Sequence, residues 1–158
     1  MYKTRLHTPT LSTVLKVACG ATLVLAAAFA QAQGTLPPAQ HQGSIEYISG
    51  GIGLDESTAF KAAMSQYPLA LTFASTGAGS DTAAYVSEVQ VVIRDTNDAN
   101  VLNATSEGPY FLVKLPPGQY QVFATYNNNE TQSQKVSIDG TGSSRATFTW
   151  SRPKTGSD

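Results

Sequence analysis

Tyr110-Phe111-Leu112-Val113-Lys114-Leu115-Pro116-Pro117-Gly118-Gln119-Tyr120-Gln121-Val122-Phe123-Ala124-Thr125-Tyr126 holds two strands and the turn between them. In its second half Tyr120, Val122, Ala124 and Tyr126 fall on one face, with Gln119, Gln121 and Thr125 on the other. That period of two is the mark of a half-buried strand. Tyr110 to Leu115 is the preceding strand, with Tyr110, Leu112 and Leu115 expected to point into the core. Pro116-Pro117-Gly118 separates the two. Proline fixes one backbone angle there and glycine permits a positive one.

The same alternation extends outward. Downstream, Asn127-Asn128-Asn129 reads as a turn, Val136 and Ile138 mark a strand, and Asp139 to Gly142 turns the chain again. Ala146, Phe148 and Trp150 line the inner face of a last strand. Upstream, Val89, Val91 and Ile93 alternate with polar neighbours, Asp95 to Asn100 is a turn cluster, and Val101 to Thr105 is a short return strand. Leu69, Leu71 and Phe73 begin another strand, followed by a glycine- and serine-rich loop over 75–81. About seven short strands with frequent turn signals predict a mainly β protein, a β-sandwich.

One segment has a different period. Ala59, Phe60, Ala63, Met64 and Tyr67 recur at helical spacing, so a helix is expected from about Asp55 to Gln66, capped by Asp55 or its neighbour and ended by Pro68. Ile45 to Ile48 is a candidate strand before it. Residues 45–75 read as a helix-containing N-terminal extension plus a first strand, and 76–150 as the sandwich proper. Residues 33–44, with Pro37-Pro38 and no aliphatic periodicity, read as a flexible linker, and 151–158 as a disordered tail.

Residues 1–32 read as an export signal. Lys3, Arg5 and Lys16 precede an apolar run from Val17 to Ala30, and Ala30-Gln31-Ala32 supplies small residues where a signal peptidase cuts. The run is about fourteen residues, short of the roughly 20 that span a bilayer. Cys19 lies inside it, so the mature chain from Gln33 has no cysteine and no disulfide or thiol chemistry. Seven Lys and Arg then stand against eleven Asp and Glu, a net charge of −4. Without clustered cations, nucleic acid is a disfavoured partner. The expected location is the periplasm or the medium, with no transmembrane anchor after cleavage near Ala32.

Residues 108–122 also carry a resemblance. Gly108, Tyr110, Leu115, Pro116, Pro117, Gly118, Tyr120 and Val122 match the glycine, aromatic and L-P-P-G-x-Y-x-V pattern of the carboxypeptidase regulatory-like domain. The likeness covers about residues 86–150. It implies a seven-stranded transthyretin-like (prealbumin-like) or Ig-like sandwich in a small exported bacterial protein. It also implies an accessory module without catalytic residues of its own.

The residues present give little for catalysis to work with. The mature chain has one histidine, His41, in the expected linker, where nothing would hold its imidazole for a catalytic triad or a zinc site. Gly51-Ile52-Gly53 precedes the helix as a phosphate loop would. Position 56, however, is glutamate instead of the third glycine, and Asp55 and Glu56 repel phosphate while suiting the helix dipole. Asp95, Asn97, Asp98 and Asn100 cluster oxygen ligands but lack the spacing of a calcium loop. Asn103 and Asn129 sit in glycosylation-type triplets that carry no weight in a bacterial host.

No enzyme, metal or cofactor is therefore expected. The expected function is a non-enzymatic module for protein–protein interaction in the bacterial cell envelope, through exposed edges and loops, with another envelope protein as partner. The alternative is small-ligand or carbohydrate binding. Candidate interaction residues are Gly51, Gly53 and Asp55 at the glycine loop, and Tyr126 and Trp150, which lie near strand ends where a ring can be partly exposed.

Overall fold

The computed structural model describes residues 35–77, 82–127 and 130–151. The expected leader, the first residues after it, the tip of the loop at 78–81, Asn128 and Asn129, and the tail beyond Ser151 lie outside the described residues. Among the described residues, ten strands and one helix are arranged in the order β1 (Gln40–Gln42), β2 (Ile45–Gly50), α1 (Leu54–Ala63), β3 (Leu69–Thr76), β4 (Ala83–Tyr85), β5 (Gln90–Arg94), β6 (Asn100–Thr105), β7 (Tyr110–Lys114), β8 (Gly118–Tyr126), β9 (Glu130–Ile138) and β10 (Ser144–Ser151). A single 3-10 turn, Met64–Gln66, extends the helix.

The strands form two sheets. The larger runs β1-β2-β7-β3-β10, with β4 beside the end of β3, and the smaller runs β6-β5-β8-β9. The described residues form a mainly β sandwich with one helix. Its core lies between the sheets, where Leu71, Phe73, Phe111 and Phe148 of one meet Val91, Ile93, Val122 and Ala124 of the other.

A second apolar layer lies on the outside of the larger sheet. Phe60, Ala63 and Met64 of the helical segment pack on Ile48, Ala70, Tyr110 and Leu112. Phe60 is fully buried, a contribution of about 1.5–3 kcal/mol for such a side chain. β7 is thus covered on both faces, which explains its unbroken apolar run. It also corrects one expectation. Tyr110 and Leu112 face the helix, while Phe111, Val113 and Leu115 face the sandwich core.

The N-terminal segments are part of the sandwich and do not form an extension to it. β2 and β3 flank β7 on either side, both antiparallel to it, and α1 is the crossover between them. β3 then pairs in parallel with β10, from Leu69↔Ser144 to Thr76↔Ser151. Ile45, Leu69, Leu71 and Phe73 bury into the same core as Val89 to Ile93, so no boundary separates 45–75 from the rest of the sandwich. Residues 40–42, expected within a linker, form β1 against β2. Their side chains are exposed and apolar burial plays no part; backbone pairing makes the strand, with side-chain hydrogen bonds of Gln40 and Gln42 beside it.

Side chains join the two sheets along both flanks. On one, Gln42 Oε1 accepts the Asn103 backbone N–H of β6 at 2.6 Å. On the other, Gln132 and Gln134 of β9 donate to the carbonyls of Thr149 and Thr147 of β10 at 2.8 and 2.7 Å. Ser144 Oγ donates to Ser137 O at 2.6 Å. These bonds occupy backbone groups that an open edge would offer to another chain.

The Pro116-Pro117-Gly118 turn has its own internal tie. The Tyr120 hydroxyl donates to the Pro116 carbonyl at 2.9 Å, folding the tyrosine back over the turn. This is the kind of corner that other sandwiches build with a tyrosine.

Candidate interaction surface at one end of the sandwich

At one end of the molecule β2, β3, β8 and β10 finish and β5, β7 and β9 begin. The loop Gly50-Gly51-Ile52-Gly53 crosses this end. Close packing explains Gly51, and a positive φ of +88° explains Gly53, where a Cβ would meet nothing. A Cβ at Gly108 would overlap the Gly50 carbonyl group, and one at Gly51 would overlap the Tyr110 ring. Gly51 also has φ +93°, a conformation side chains disfavour. Glu56 Oε2 accepts the Ile52 N–H at 3.0 Å, and Gly53 O accepts the Ser57 N–H at 3.1 Å. The helix cap is therefore Gly53, helped by Glu56 reaching back, where the sequence reading put it at Asp55 or its neighbour.

This fixed loop presents two large apolar side chains to solvent. Ile52 is 66 % exposed and Leu54 80 %. Tyr85 of β4, 58 % exposed, is linked to this loop through Tyr110: its ring lies 5.5 Å from that of Tyr110, against which Gly51 also packs. Tyr110 in turn stacks on Phe60 at 5.9 Å. Its hydroxyl is buried and forms no well-directed hydrogen bond, although the Tyr85 phenol lies close. Burial first, then that neighbour, pushes the Tyr110 phenol far above its usual range.

Of the residues singled out in the sequence, Gly51, Gly53 and Asp55 meet at this end. Gly51 is buried as a spacer under Tyr110, while Gly53 and Asp55 are exposed. Tyr126 and Trp150 also lie here, with rings 5.4 Å apart. Trp150 is not a surface residue: it is 2 % exposed and its Nε1 donates to Glu130 O at 2.9 Å. Its ring packs against Phe73 and Phe148, which accounts for its burial despite its place near a strand end. Tyr126, half-buried, borders a cleft of about 660 Å³ lined also by Glu88, Gln90, Thr105 and Thr125. Ile52, Leu54 and Tyr85 were not among the sequence candidates. Ile52 was read only as the middle of a glycine loop, and Ala83-Ala84-Tyr85 is too short to show a period.

The oxygen-rich turn at the opposite end is closed from within. Asp95 Oδ1 accepts the backbone N–H groups of Asn97 and Ala99 at 2.8 and 3.0 Å. Arg94 donates to Asp98 at 3.0 Å and to Asn100 at 2.9 Å while lying over the Phe123 ring. A guanidinium thus binds the oxygens that a calcium ion would need. His41 sits exposed on β1, opposite Glu46.

No known family model matches the chain, and no curated protein is significantly similar to it in sequence. Among the described residues, no helix is long and apolar enough to cross a membrane.

Proposed function

We propose that this chain is a non-enzymatic, exported β-sandwich module that binds another protein of the bacterial cell envelope. The binding surface is the end of the sandwich that carries Ile52, Leu54 and Tyr85. The observation behind this reading is the exposure of Ile52 and Leu54, at a loop held by glycine packing, together with Tyr85 of β4. Apolar residues scattered singly over a surface need no explanation, but a cluster on a rigid support is a common docking feature. The loop end is preferred to the strand edges because glutamine and serine side chains already occupy backbone groups along both flanks. The likeness of residues 86–150 to the carboxypeptidase regulatory-like domain, an accessory module, belongs to the same reading, as does a periplasmic or secreted location after cleavage near Ala32.

The test is co-purification of tagged, exported protein from gently solubilised envelopes, in parallel with an Ile52→Ser/Leu54→Ser variant. The expected result is one stoichiometric partner that the variant loses while keeping its melting temperature. A partner retained equally by both would refute the surface.

A second reading, a module for small polar ligands or carbohydrates, draws on the cleft beside Tyr126 and its hydroxyl and amide lining. Tyr126 lies against Trp150, so a sugar bound there should change tryptophan emission. A glycan panel that leaves the emission unchanged would remove this reading.

A further inference from the structure

Among the described residues, acids stand at both ends of the sandwich, but basic residues are absent from one. Asp55, Glu56, Glu88, Glu107 and Glu130 all lie at the end that carries Ile52, Leu54 and Tyr85. Glu107 precedes Gly108, which abuts the Gly50 backbone, and its own N–H donates to Ser49 Oγ at 2.8 Å. The Glu88 N–H donates to the carbonyl of Ser106, the residue before Glu107, at 2.9 Å. The acids and the apolar cluster are thus neighbours along one connected stretch of surface. None of the described lysines or arginines is there. Arg94, Lys114 and Arg145 sit at the opposite end of their strands, Lys135 is paired across from Gln121 in that half, and Lys61 is in the last turn of α1. Lys114 and Arg94 are already paired with Glu46 and Asp98.

We infer that the docking end selects a cationic amphipathic polypeptide segment, whose apolar side chains cover Ile52, Leu54 and Tyr85 while its lysines or arginines face Asp55, Glu88 and Glu107. This rests on the proposed docking role of the same end and adds the chemistry of the partner. Like charges brought against this rim would be repelled, so an acidic segment is excluded by the same surface that admits a basic one.

The probes are two short amphipathic peptides with one leucine pattern, lysine filling the polar positions of the first and glutamate those of the second. Each is titrated by fluorescence anisotropy against the full mature chain. The lysine peptide binds, and raising salt weakens it. An Asp55→Asn/Glu88→Gln/Glu107→Gln variant binds about fivefold to tenfold more weakly, as expected for a few exposed charge pairs, and its salt dependence is shallower. The glutamate peptide does not bind. Equal binding of both peptides, or no response to the triple variant while Ile52→Ser/Leu54→Ser abolishes binding, overturns the cationic partner and leaves the surface standing. Lysine-peptide binding that ignores Ile52→Ser/Leu54→Ser overturns the surface as well. Arg152 and Lys154 come after Ser151 in the sequence. If ending the chain at Ser151 tightens peptide binding tenfold or more, the tail is the occupant and an external partner is overturned. Concentration-dependent dimerisation lost in the apolar variant would instead make a second copy the occupant.

Discussion

The α-carbon of Gly108 lies so close to the carbonyl of Gly50 that any side chain at 108 would occupy the space of that carbonyl. Backbone, not a flexible side chain, would have to move. Gly108→Ala should therefore destabilise the fold by about 1–3 kcal/mol. Gly142→Ala, where a Cβ meets nothing within 4 Å, should change it by less than about 0.5 kcal/mol. Urea unfolding of both variants checks the pair, and equal midpoints would show that the close approach is not a constraint.

The tyrosine of the L-P-P-G-x-Y stretch can be tested by removing one atom. Tyr120→Phe keeps the ring and loses the bond to the Pro116 carbonyl. The expected cost is about 0.5–1.5 kcal/mol, seen as a lower urea midpoint at unchanged slope.

Removing residues 45–66 takes away β2, α1 and the cover over β7. Ile48, Phe60 and Met64 are lost, and Tyr110 and Leu112 are laid open. The truncated chain should fail to fold cooperatively, shown by loss of the buried-tryptophan emission and of a sigmoidal melt. A truncated chain that still melts in one transition would restore the idea of a separable extension.

Acid should weaken one cross-strand pair. Glu46 and Lys114 face each other on β2 and β7 with their charged atoms 2.7 Å apart. The hydrogen bond to Lys114 holds the Glu46 carboxyl below its ordinary value of 4.5, and the same bond raises Lys114 above 10.5. A depressed acid stabilises the fold above its ordinary value and loses that effect as the pH falls through the folded one. A raised base stabilises below its ordinary value and loses the effect as the pH climbs through its own. Lys114→Met should therefore lower the melting temperature at neutral pH, by a small amount because the pair is exposed. The gap from the parent should close as the pH drops well below 4.5. A gap independent of pH would assign the effect to lost packing of Lys114 on Tyr67.

The sandwich was legible where alternation is strict. Val91 and Ile93, Val122 and Ala124, Ala146 and Phe148 each show one buried face and one wet one. It was less legible where that pattern fails for a physical reason. Tyr110 to Val113 is buried on both sides, so the period could not say which residue faces which layer. Gln40-His41-Gln42 carries no apolar residue and is a strand because β2 offers it backbone partners and Gln40 and Gln42 bond outward through their amides. The link between Leu69–Thr76 and Ser144–Ser151 joins segments far apart in the chain, so neither segment's local pattern reveals it. The candidate surface was half visible. The glycines of the 50–53 loop stood out, but exposure of Ile52, Leu54 and Tyr85 depends on which neighbours arrive from β4 and β7.

The parallel pairing of β3 with β10 also sets the order in which the molecule can be finished. Its partners differ by 75 positions in the sequence, as at Leu69 and Ser144. A ribosome releases β3 well before β10. Until then one long side of β3 has no neighbour, and Phe73 has neither Phe148 nor Trp150 to pack on. Closing so distant a contact is slow. The larger sheet is therefore completed only after β10 has emerged, and until then the nascent protein carries an adhesive, unfinished edge.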